Sequence, residues 1–214
     1  MSRPRGRAVA GLVLAAVLLL VGGFVGGRLT AGTAGALPTT ESAAAGFLRD
    51  MQVHHAQAVE MALLIRERTD DELVRTVAYD IAVTQASQSG AMYGLLDAWS
   101  LPQRSSQPPM TWTLLPVIDG SAGGGHQMPE PGEGMPGLVS SADLAALRAA
   151  TGDDAVRLFL ELMIAHHEGG VEMAEAVLAR TEVPQVVTLA RGIETAQLAE
   201  IDLLRDLLAK LPAG

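Results

Sequence analysis

Apolar residues recur along most of this chain at intervals of three and four, the spacing that lays a single stripe down an α-helix. From Ser42 to Arg68 the stripe is Phe47, Leu48, Met51, Ala58, Ala62 and Ile65, with His54 and His55 on the same side. Thr69-Asp70-Asp71-Glu72 reads as a capping box that starts the next helix at once, and Ile81, Met92, Leu95, Leu96 and Trp99 carry its stripe until Leu101-Pro102. No helical or strand period survives over residues 102–141. There Pro108-Pro109, Gly123-Gly124-Gly125 and Met128-Pro129-Glu130-Pro131-Gly132 predict an irregular crossover. A short helix, Ala142 to Ala150, then leads into a second hairpin: Asp154 to Arg180, a turn at Thr181-Glu182-Val183-Pro184, and Gln185 to Lys210.

The second hairpin repeats the first at a constant offset of 112 residues. Phe47, Leu48, Met51, His54, His55, Val59, Glu60, Met61 and Ala62 return as Phe159, Leu160, Met163, His166, His167, Val171, Glu172, Met173 and Ala174, and Gln85 returns as Gln197. Two hairpins with apolar stripes bury them best against each other. The expected fold is therefore an all-α four-helix bundle with pseudo-two-fold symmetry, in which one long crossover replaces the usual short loop.

Residues 1–36 are of another kind. Arg3, Arg5 and Arg7 precede an uncharged apolar run from Ala8 to Gly27, closed by Arg28. About 20 helical residues span a hydrocarbon core of roughly 30 Å. The run predicts a single-pass anchor with its basic end in the cytoplasm and the remainder exported. Ala34-Gly35-Ala36 before Leu37-Pro38 is an alternative signal for cleavage after Ala36, giving a secreted or periplasmic protein. Either way, residues 37–41 are a linker, and the hairpins at 42–101 and 142–212 stand outside the cytoplasm.

Charge and composition narrow the possible partners. With Arg3, Arg5, Arg7 and Arg28 set aside from the 15 basic residues, 24 Asp and Glu face 11 Lys and Arg, a formal −13. That balance opposes nucleic acid, whose phosphates need a basic face, and attracts cations. Cysteine is absent. Disulfides and thiolate metal sites are thereby excluded, and any soft-metal ligand must be methionine or histidine.

Four of the five histidines belong to the two pairs. Met51, His54 and His55, like Met163, His166 and His167, fall within one helical face, which is also the apolar one. Gln85 and Gln88 lie in the stripe of the second helix, and Gln197 and Glu200 in that of the fourth. Buried polar groups are costly unless paired, so four helices sending His, Gln and Glu inward imply a hydrogen-bonded network or a bound ion. Imidazole and thioether together suit copper, especially Cu(I), better than hard cations. A di-iron carboxylate centre needs several inward Glu, and Glu200 is the one this chain offers. Met61 and Met173 read equally as ligands and as core filler, as Met92 does. His126, Met110, Met128 and Met135 sit in the crossover. Gly169-Gly170 costs up to about 2 kcal/mol of helix propensity, and close helix approach or room for a ligand would account for it.

The doubled Met-x-x-His-His with a following Met-Ala, the Met135-Pro136-Gly137 of the crossover and the Ile-x-x-x-Gln helices resemble the DUF305 family over residues 42–211. The resemblance implies a ferritin-like four-helix bundle, exported or membrane-anchored, with relatives associated with copper binding and tolerance. Carried over, its metal residues are Met51, His54, His55, Met61, Met163, His166, His167, Met173 and Glu200, with Gln85, Gln88 and Gln197 behind them. Ala44 and Val156 depart from an acidic position three before each motif Phe, and Gln88 stands where the second hairpin has Glu200. The expected function is extracytoplasmic copper buffering, tolerance or transfer, without catalysis. The alternative is a metal-free interaction module of the cell envelope whose polar core fixes helix register. No nucleophile with its base and no nucleotide loop argues for an enzyme.

Overall fold

Ser42, Asp71 and Ser140 each turn a side-chain oxygen onto the free N–H groups of a first helical turn, and a helix begins after each. The computed structural model describes residues 37–120 and 128–212. They form α1 (Ala43–Arg66), α2 (Glu72–Ala98), α3 (Ser141–Ala149), α4 (Gly152–Leu178) and α5 (Pro184–Leu208), with a 3-10 turn at Thr111–Leu114 inside the crossover and no strand among the described residues. The expected capping box is corrected in detail: Asp71 is the cap, accepting from the N–H groups of Leu73 (2.9 Å) and Val74 (3.0 Å), while Thr69 accepts from Asp71. No side chain caps α4. Gly152, at φ +60°, instead lets the chain double back from α3, and its N–H donates to Arg68 O (3.2 Å). Pro184 opens α5, where its missing N–H costs nothing. The apolar run from Ala8 to Gly27, and with it the expected anchor or signal, lies outside the described residues, as does His126. Among the described residues no helix is long and apolar enough to cross a membrane.

Two apolar clusters fill the bundle, and their membership fixes how the helices run. One holds Phe47, Leu48 and Met51 of early α1, Met92 and Leu96 of late α2, Met173, Ala174 and Val177 of late α4 and Val186, Ala190 and Ile193 of early α5. The other holds Met61, Ala62 and Ile65 of late α1, Val74, Val77 and Ile81 of early α2, Phe159, Leu160 and Met163 of early α4 and Leu204 and Leu207 of late α5. Neighbouring helices are therefore antiparallel. Each hairpin is closed by its own short turn, α1 packs on α4 between the hairpins, and α3 covers the join. The 112-residue repeat is realised as a pseudo-dyad that exchanges the two clusters.

The crossover is tied to α1 at both ends. Early on, the buried Asp50 carboxylate accepts from Met110 N–H (2.7 Å) and Trp112 Nε1–H (2.9 Å), and Trp112 stands edge-on to Phe47 at 5.9 Å. Trp112 occupies the space over Gly46, where an added Cβ would lie 2.5 Å from it. Later the Gln57 amide brackets Val139, accepting from its N–H (2.7 Å) and donating to its carbonyl (2.9 Å).

Candidate metal centre

Between the two clusters lies a polar layer to which all four long helices contribute: His54 and His55 from α1, Gln85 and Gln88 from α2, His166 and His167 from α4, Gln197 and Glu200 from α5. The four histidines are wholly buried, and Gln85 and Gln197 nearly so. His54 and His166 meet at the pseudo-dyad with ring centroids 3.8 Å apart, and His55 and His167 lie 6.5 and 6.2 Å from their respective neighbours.

Each imidazole uses the same nitrogen toward the protein. Nε2–H of His54 donates to Pro136 O (3.1 Å), that of His166 to His54 O (3.1 Å), that of His55 to Gln88 Oε1 (2.8 Å) and that of His167 to Glu200 Oε2 (2.7 Å). The four Nδ1 atoms are buried without a partner, as are both amide atoms of Gln85 and of Gln197. Burial holds the rings of His54, His55 and His166 neutral. It lowers His54 to about 4, against the Pro136 hydrogen bond and aided by His167. It lowers His55 to about 3, with His54 adding to the effect, and puts His166 well below its ordinary value, with His54 next in weight. A neutral imidazole whose Nε2–H is committed to an oxygen presents a bare lone pair on Nδ1. Protein oxygens thus fix the tautomer in the way that outer partners fix metal-ligating histidines.

The glycines that the sequence singles out shape this layer. An added Cβ on Gly169 would lie 2.1 Å from Pro136 O, and one on Gly137 would lie 2.4 Å from Ala165 O. Gly137, at φ +69°, lets Met135-Pro136-Gly137 cross α4 closely enough for the Pro136 carbonyl to reach His54. Gly170 makes room for Gln197, whose Oε1 would lie 2.3 Å from an added Cβ. Gly169 therefore admits the crossover, and Gly170 admits a side chain.

The structure does not keep the sequence-derived ligand set together. His54, His55, His166, His167 and Glu200 share the layer, with Gln85, Gln88 and Gln197 beside them. The methionines lie on either side, Met51 with Met173 in one cluster and Met163 with Met61 in the other. Met61 therefore joins the second motif's Met163 rather than its own Met51, because α1 and α4 run antiparallel. Among the described residues no three His, Asp or Glu side chains already converge on a point that could hold an ion. The chemistry of the donor set nonetheless fits copper: bare imidazole nitrogens in the layer and thioethers flanking it on both sides. Sequence reasoning missed Pro136, Gly137, Gln57 and Asp50. Met135-Pro136-Gly137 was visible as a motif, but nothing in the sequence said that its backbone would meet His54.

The class of protein is thus a helical bundle with a doubled, buried histidine layer. The DUF305 profile, a domain of unknown function, matches residues 44–208, and the chain belongs to that family. A DUF305 protein from Streptomyces coelicolor described as secreted is 47% identical, with a TM-score of 0.70 over 80% of this chain and 95% of its own. A DUF305 fragment from Deinococcus radiodurans is 32% identical, with a TM-score of 0.60 over 77% and 94%. CopM in its Cu(I)-bound form shares the fold at 23% identity, with a TM-score of 0.57 over 78% and 96%; it is also solved with Cu(II) and with silver. No curated protein matches the chain.

Proposed function

We propose that this chain is a non-enzymatic, extracytoplasmic copper-binding protein that buffers the ion or passes it on, with His54, His55, His166 and His167 as the principal ligands. The observation that carries this reading is the set of four buried imidazoles with Nε2 engaged and Nδ1 unpartnered. A buried acceptor left bare costs about 1–3 kcal/mol, and a ligated ion removes that cost. The thioethers of Met51, Met163, Met61 and Met173 complete the donor set, Gln88 and Glu200 orient His55 and His167 from behind, and Gln85 and Gln197 stand beside them. CopM, a protein of the same fold, is solved with Cu(I), Cu(II) and silver, which supports the metal class. The Streptomyces relative described as secreted supports an extracytoplasmic location, as does the apolar run after Arg7.

Copper titration of the full chain tests the proposal. The wild type takes up copper, and a variant with all four histidines changed to Ala does not; undiminished uptake by the variant would falsify it. One observation favours a second reading, a metal-free module whose polar layer sets helix register: every Nε2 already has a protein partner. That reading predicts a melting temperature that neither copper nor a chelator moves, whereas a ligand of the folded state raises it.

A further inference from the structure

The eight methionines of the described residues are divided unevenly. Met61 and Met163 lie in one apolar cluster; Met51, Met92, Met110, Met135 and Met173 lie in the other, with Met128 packed against it. The pseudo-dyad accounts for two on each side, because it exchanges Met51 with Met163 and Met173 with Met61. The other four, all at one end, have no methionine counterpart. Met92 corresponds to Leu204, and both are fully buried in equivalent surroundings. Packing at that position is thus met by leucine, and a thioether is not required for it.

Met110, Met128 and Met135 come from the crossover, an irregular segment whose other buried anchors include Trp112 and Val139. Met110 is fully buried in the left-handed region at φ +66°, a conformation uncommon for a residue with a long side chain, and Asp50 holds its N–H there. Met135 is 8% exposed and Met128 half-buried, so the series runs from near the surface into the core.

We propose a second soft-cation site at this end of the bundle, made of thioethers alone and taking monovalent Cu(I) or Ag(I). Neutral sulfur donors select such ions over Cu(II), which prefers nitrogen and oxygen. The site rests on Met92, Met110, Met128 and Met135 and does not depend on the reading given to the histidine layer.

The test uses the full chain and a variant carrying M92L, M110L, M128L and M135L, exchanges that conserve volume and usually cost less than about 1.5 kcal/mol each. Ag(I) stoichiometry is read by native mass spectrometry, and Cu(I) retention against a chromogenic Cu(I) chelator. The wild type holds one more Ag(I) per chain than the variant, while Cu(II) uptake is the same in both. Equal Ag(I) stoichiometry and equal Cu(I) retention would overturn the site. Should circular dichroism show the fourfold variant unfolded, M92L with M128L replaces it, since leucine already serves at position 204. A tenfold loss of Cu(I) retention then supports the site, and no loss overturns it. Absence of Cu(II) uptake from both proteins counts against the histidine layer alone.

Discussion

The two halves of the polar layer share a backbone plan and differ in one atom's worth of chemistry. His55 donates to the neutral amide of Gln88 in the first half, and His167 donates to the carboxylate of Glu200 in the second. A carboxylate behind an imidazole makes it a stronger ligand and offsets part of an incoming cation's charge, whereas an amide does neither. The crossover adds a second inequality. It presses its Pro136 backbone onto Gly169 of the second half and is gripped by Gln57, the residue at the corresponding position of the first. Duplication supplied symmetric packing, and these few replacements make the two halves chemically unequal.

Acid is the severest way to break this comparison. The folded-state values of His54 and His55, about 4 and about 3, lie below the ordinary 6.5, so the folded protein binds fewer protons than the unfolded chain. Their contribution is complete above pH 6.5 and is lost as the pH falls through 6.5 toward 4 and 3. His54 alone accounts for a loss on the order of 3 kcal/mol. Thermal melts across that range should fall steeply. Gln88→Glu should make the fall smaller, by giving protonated His55 the partner that His167 already has and so raising its folded value toward 6.5. A melting temperature flat from pH 7 to 4 would show that the layer is more open to water than its burial indicates.

A smaller effect is expected at the crossover contact. Gly169→Ala drives a Cβ into the Pro136 backbone and should destabilise by about 2 kcal/mol despite alanine's better helix propensity. Gly170→Ala meets a side-chain amide that can move, and Ala58 already stands at the corresponding position of α1, so it should cost less. Denaturant unfolding of the two variants ranks them, and the reverse order would contradict the assigned contacts.

The mildest change makes the halves alike. Glu200→Gln should weaken Cu(II) binding about tenfold, near 1.4 kcal/mol, while the fold is retained. Competition with a chelator of known affinity measures it, and an unchanged value would mean that the halves contribute equally.

Much of this was legible in the chain. The apolar period gave the four long helices to within a few residues, and the repeat gave the dyad, because both depend on local sequence. The inward histidines and their Gln and Glu neighbours followed from helical phase. Grouping the methionines by motif failed for Met61 and Met173, since antiparallel packing sends each toward the other hairpin's methionine. The contacts of Pro136 and Asp50 were invisible for a related reason. They join positions 82 and 60 residues apart through an irregular segment that has no period to read.

Buried Nδ1 lone pairs, fixed by Nε2–H donation, are the proposed ligating atoms. Long-range proton–nitrogen correlation spectra of the histidine-labelled protein, recorded before and after adding Ag(I), report on them directly. The account predicts neutral Nε2–H tautomers for His54, His55 and His166 in the free protein, and a shift of Nδ1 with Nε2–H retained once silver is bound. Loss of the Nε2 proton on binding, or rings that do not respond to the ion at all, would contradict it.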